Sequence, residues 1–118
     1  MARLKLTIIL DSGARIGPGK VALLESVRDT GSIAAAGRAM GMDYKRAWLL
    51  VDSLNRAFDT PAVTRVTGGA GGGSATLTPF GAELLARYSR LETEAMARAG
   101  EDLAALERGA AADPGPKV

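Results

Sequence analysis

Apolar and polar positions along this chain change period several times, and each change marks an element. Leu4, Leu6, Ile8 and Leu10 alternate with Lys5, Thr7 and Ile9, which predicts a short strand. The stretch DSGARIGPG carries no period and reads as a loop. Pro18 then occupies a first helical position, and Val21, Leu24 and Val27 follow at helical spacing until Gly31, predicting a helix over 18–30. Ser32 is an N-cap for a short Ala-rich helix from Ile33 to Met40, which Gly41 ends. Asp43 caps a third helix, in which Ala47, Val51, Leu54 and Phe58 form a core stripe and which Pro61 terminates. AVTRVT and SATLT then flank GGAGGG, β-branched arms around a glycine centre, so a hairpin is expected. Thr78 and Pro79 begin a last helix. Its stripe of Leu84, Tyr88, Leu91, Ala95, Ala99, Leu103 and Leu106 keeps steps of three and four to about Arg108, with Gly100 as a soft spot. The final GAAADPGPKV has no pattern and reads as a disordered tail.

Strand, helix, helix, tight turn, helix, hairpin and long helix is the order of a winged helix-turn-helix domain with an added helix. The expected fold class is therefore α+β and mostly α. Residues 1–78 form the domain, 79–108 the long helix and 109–118 the tail. Between Ile33 and Leu50 the constraints of a helix-turn-helix are met one by one. Gly37 stands where two crossing helices must touch, and Gly41 stands where the turn needs positive φ. Ala36, Met40, Met42, Ala47 and Leu50 are the apolar residues that fill the angle. A generic pair of antiparallel helices is the alternative.

If Ala47, Leu50, Val51 and Leu54 face the core, the first turn of the third helix projects Tyr44, Lys45 and Arg46. In a helix-turn-helix that turn enters the major groove of double-stranded DNA. Lys45 and Arg46 suit guanine O6 and N7 or a phosphate, and Tyr44 offers a hydroxyl and a ring for a thymine methyl. Outside such a motif the same two cations are ordinary solvated helix charges. Trp48, one turn further on, either packs against a neighbouring element or flanks the groove. Ser32 either caps its helix only or also presents that helix end to a phosphate. In the hairpin, Arg65 and Thr67 lie on the rising arm, and glycines such as Gly69 and Gly71 let backbone approach a sugar-phosphate surface; a bare turn without contact is the alternative. The long stripe is more apolar than a small domain can use, so Leu84, Tyr88, Leu91, Ala95 and Leu103 are candidate homodimer contacts. The alternative is a helix folded back on its own domain.

Composition narrows the chemistry. The 118 residues allow one domain, and with no Cys and no His the usual thiolate and imidazole sites for metals and catalysis are missing. No catalytic residues, metal or cofactor are expected, and an enzyme is the least favoured reading. Gly68 and Gly73 imitate the glycine spacing of a phosphate-binding loop, but Ser74 stands in the lysine position and a strand follows, so no nucleotide is expected. No apolar run approaches the roughly 20 residues that span a bilayer, and the N-terminus lacks a signal-peptide pattern, so a cytoplasmic location is expected. The net charge of +2 is uneven: +4 up to Ser74 and −2 beyond it, an asymmetry that suits a polyanion on the first part. So small a net charge also keeps open a winged-helix protein-interaction module without DNA binding.

The run LLESVRDTGSIAAAGRAMGMDYKRAWLLVDSLNRAF, followed by GGAGGGSATLTPFGAELLARY, resembles the N-terminal DNA-binding domain of the ModE molybdate-responsive regulators. GSI, the stretch from Gly41 to Trp48 and the glycine-rich segment before LTPFG carry the likeness, over roughly residues 4–108. GSIAAAGRAMGM is more distantly similar to the helix-turn-helix of LysR-type regulators. The resemblance implies a dimeric, sequence-specific DNA-binding transcriptional regulator in the setting of molybdenum transport or use. Its reading segment matches Asp43 to Trp48 and its wing Gly68 to Ser74. The family's molybdate site lies in C-terminal domains that this sequence does not include, so no molybdate site is expected among these residues.

Overall fold

Four helices converge on one apolar centre, and two small hairpins close its sides. The computed structural model describes residues 1–66 and 73–117. In chain order the elements are β1 (Ile8–Ile9), β2 (Arg15–Ile16), α1 (Pro18–Thr30), α2 (Ile33–Ala39), α3 (Tyr44–Arg56), β3 (Val63–Val66), β4 (Ser74–Leu77) and α4 (Pro79–Arg108). The mostly α winged helix-turn-helix architecture with a long C-terminal helix is as the sequence predicts. β3 and β4 pair antiparallel with Val63 opposite Leu77 and Val66 opposite Ser74.

The helix starts follow from local chemistry. Ser32 Oγ accepts from the Ala35 N–H at 3.1 Å, Asp43 Oδ1 from Arg46 at 2.8 Å, and Thr78 Oγ1 from Gly81 at 3.0 Å. Each cap satisfies a first-turn donor that the helix itself cannot. Between α2 and α3, Gly41 takes φ +71°, a left-handed conformation that favours glycine. A Cβ on Gly37 would stand 3.0 Å from the Ala47 Cβ, so the two helices cross where neither carries bulk. That contact sets the angle at which α3 leaves the domain.

Val21, Leu23, Leu24 and Val27 of α1 form the middle of the core. Ile33 and Ala36 of α2 and Ala47, Val51 and Leu54 of α3 pack around them. Leu84, Leu85 and Tyr88 of α4 belong to the same core, which therefore runs past residue 78 into the long helix.

Three local expectations are corrected. The segment read as a loop before α1 contains β2, and within the expected Leu4–Leu10 strand only Ile8 and Ile9 find a partner there. The earlier alternating residues lie along α4 instead: the Leu4 N–H approaches Met96 Sδ at 3.3 Å, and the Leu6 carbonyl accepts from the Tyr88 hydroxyl. The third helix stops at Arg56, not at Pro61. Phe58, expected in its stripe, lies beyond the helix and packs on Phe80 with ring centroids 4.8 Å apart.

Candidate nucleic-acid interface

At 100° per residue, Ala47, Val51 and Leu54 define the inward face of α3. The same geometry sends Lys45, Leu49 and Arg56 directly outward. Tyr44 and Trp48 fall on the flank toward β3, and Arg46 falls on the flank toward α1. Tyr44, Lys45, Arg46 and Leu49 are all exposed. The first turn thus projects from the domain as the sequence predicts.

The two flanks are built differently. On the β3 side, the Arg65 guanidinium sits over the Trp48 ring, 5.5 Å from its centroid, and one of its N–H groups points to the Tyr44 hydroxyl at 3.4 Å. Cation and ring attract through the ring quadrupole, and the stack joins the rising arm of the hairpin to α3. Trp48 is half-buried, so it both packs against β3 and borders the outer face. Asn55, which sequence reasoning missed, fixes the same junction from below. Its Oδ1 accepts from the N–H groups of Ala62 and Val63 at 2.8 and 3.0 Å, and its Nδ2 donates to the Val63 carbonyl at 3.0 Å. The only sequence signal was an amide seven residues beyond Trp48, on the same side of the helix.

On the α1 side, Lys20 Nζ donates to the Arg15 carbonyl at 2.8 Å and to Ser53 Oγ at 3.0 Å. Arg15, Lys20 and Arg46 line one recess with Thr7, Met42 and Leu50. Two cations are thereby added to the surface beside α3, and neither was among the candidate residues. Arg15 was hidden in a segment read as loop. Lys20 lies on the polar side of α1, where nothing local to the sequence distinguishes it from other solvated helix charges.

Arg56 is held within α3 by Asp52 at 2.9 Å. Among the described residues no carboxylate pairs with Lys45, Arg46 or Arg65. Their charge is available to an external anion. Ser32 is placed at the start of α2 with its side chain engaged as the cap. Thr67, Gly69 and Gly71 lie outside the described residues.

The candidate dimer residues separate into two groups. Leu84 and Tyr88 are buried in the chain's own core and are not free for a partner. Leu91 is exposed, and Ala95 and Leu103 are half-covered further along α4. Leu103 lines an apolar groove with Met1, Ala2, Met96, Gly100 and Ala104. Leu106 is 72% exposed.

A short helix, a glycine turn, a capped second helix with an outward cationic first turn and an adjoining hairpin define a winged helix-turn-helix domain. Residues 19–82 match the family described as bacterial regulatory helix-turn-helix protein, lysR family, and the chain belongs to that family. It is 47% identical over 81 residues to the molybdenum-pterin-binding protein MopB of Rhodobacter capsulatus, covering 69% of this chain and 30% of that protein. It is 37% identical over 92 residues to the transcriptional regulator ModE of Yersinia pestis, covering 78% of this chain and 35% of the relative. To the DNA-binding transcriptional dual regulator ModE of Escherichia coli K12 the identity is 34% over 90 residues, 76% of this chain and 34% of the relative. The likeness to the ModE-type regulators read from the sequence is thus shown. The chain spans about a third of the length of these curated relatives. Among the described residues no helix is long and apolar enough to cross a membrane.

Proposed function

We propose that this chain is a transcriptional regulator that reads double-stranded DNA as a homodimer on a two-fold operator, in molybdenum-related regulation. The observation that carries the reading is the outward first turn of α3. There Lys45 and Arg46 stand exposed, without carboxylate partners among the described residues, beside an Arg65 stacked on Trp48. Lys45 and Arg46 take base edges in the major groove, and Tyr44 adds a hydroxyl and an aromatic edge. Arg65, Thr67 and the segment of Gly69 and Gly71 contact the sugar-phosphate surface, and the N-terminus of α2 at Ser32 meets a phosphate. Trp48 backs this surface. The reading requires no cofactor bound by this chain.

Dimer formation is supported by the far part of α4, where Leu91 and Leu106 remain exposed in a helix that extends well past the core. Two copies joined there present two reading turns related by a two-fold axis, so the preferred DNA has matching two-fold symmetry. The names of the relatives support the setting: transcriptional regulation in two of them and molybdenum in MopB.

Selection of bound duplexes from a random pool tests both parts together. The expected result is a palindromic consensus. A selected pool with no consensus overturns sequence-specific reading. A consensus without two-fold symmetry overturns the dimeric arrangement.

A further inference from the structure

We infer that the outer face of α3 reads the C5-methyl groups of thymines through Leu49 and the ring of Tyr44, an inference that rests on the DNA-binding reading above. The face opposite the buried line of Ala47, Val51 and Leu54 should be the most polar strip of the helix, because none of the described residues covers it. Lys45 and Arg56 meet that expectation, but Leu49 between them on the same line does not. Leu49 stands one turn beyond Lys45 on the outward line with 49% of its surface exposed, and Tyr44 is 53% exposed. Tyr44 and Trp48, on the adjoining flank, line a shallow recess with Lys45. A single exposed leucine needs no explanation on an ordinary surface. Here it stands between Lys45 and Arg56 on the outward line, with the exposed Tyr44 ring on the neighbouring flank and Arg46 on the opposite one.

That layout, one apolar side chain set among cations with an exposed aromatic ring beside it, is complementary to one kind of surface. The major groove is bordered by phosphates, and the thymine methyl is the only methyl group that the four bases present on its floor. A partner protein suits the leucine and the tyrosine but gives the cations around them no fixed counterpart. Lys45, between the apolar groups, meets the acceptors of a neighbouring base while Leu49 and Tyr44 cover methyls beside it. The result is a preference for thymine at positions where hydrogen bonds alone would leave the choice loose.

Deoxyuridine removes the methyl and leaves the base-pairing edge unchanged, so it isolates this contact. The wild-type chain is titrated with a selected duplex and with the same duplex carrying deoxyuridine for thymine in the half-sites. Each contacted methyl that is lost should weaken binding about fourfold, the equivalent of about 0.8 kcal/mol of apolar burial. Leu49→Ala, whose exposed position lets it fold as the parent does (checked by circular dichroism), should narrow the difference, and Tyr44→Ala with Leu49→Ala should abolish it. Equal wild-type affinity for the two duplexes, with binding still steeply dependent on salt, overturns the methyl reading and leaves DNA binding standing. A double variant that keeps the full thymine preference also overturns it, since the preference then comes from the DNA. Binding of no duplex at any salt overturns both readings.

Discussion

Tyr88 is the side chain that fastens the long helix to the start of the chain. It is 1% exposed, and its hydroxyl donates to the Leu6 carbonyl. Burial pushes its phenol above the ordinary tyrosine range, and the nearby Glu92 carboxylate acts in the same direction. The fold therefore favours the neutral phenol. Below about pH 10 the phenol is protonated whether folded or unfolded, and its contribution to stability is complete. As pH rises further, the unfolded chain ionises first, so the contribution is lost through the interval up to the raised folded value. Tyr88→Phe should cost about 1 kcal/mol near neutral pH, from the lost hydrogen bond, and should flatten the decline in stability above about pH 10. Denaturant titrations of both proteins across that range check this. An alkaline decline as steep in the variant as in the parent contradicts it.

At the scale of the elements, the first turn of α4 packs directly against the backbone leading into β3. A Cβ on Gly81 would stand 2.2 Å from the Ala62 carbonyl oxygen, inside a backbone contact that also bears the Asn55 bridge. Gly81→Ala should cost about 3 kcal/mol, because α4 must shift away from the residues leading into β3. Gly100→Ala, in the same helix with nothing within 4 Å of the added carbon, should instead stabilise by about 0.5–1 kcal/mol. Equal effects of the two changes on the denaturation midpoint contradict this packing. The contrast also shows what the sequence made legible. The caps at Ser32, Asp43 and Thr78 and the turn at Gly41 are local chemistry and could be read directly. Gly81 looked like any helical glycine, because its importance lies in a contact with residue 62. β2 was invisible for a related reason: two residues in a glycine-rich stretch carry no alternation, and only pairing with Ile8–Ile9 makes them a strand. Helical periodicity likewise showed that Leu84 and Tyr88 are apolar-facing, but not that they face their own domain.

At the scale of the whole molecule, the 30 residues of α4 extend for about 45 Å. They account for a shape of 56 × 29 × 25 Å in which the core occupies one end. The exposed first turn of α3 was legible because its position follows from the helix-turn-helix register. Asn55, Arg15 and Lys20, which brace or border it, depend on the crossing of distant segments and were not. Placed together, these features make the domain a holder for one projecting turn, and the proposed pairing of α4 would present two such turns at once. The central claim is that this turn reads bases. The measurement that tests it most directly is the affinity of the wild type, Lys45→Ala and Arg46→Ala for the selected duplex and for a scrambled duplex at the same salt. At least one variant should lose about 1–3 kcal/mol on the selected duplex, with a smaller loss on the scrambled one. If both variants bind the selected duplex as tightly as the wild type, α3 is not the reading element.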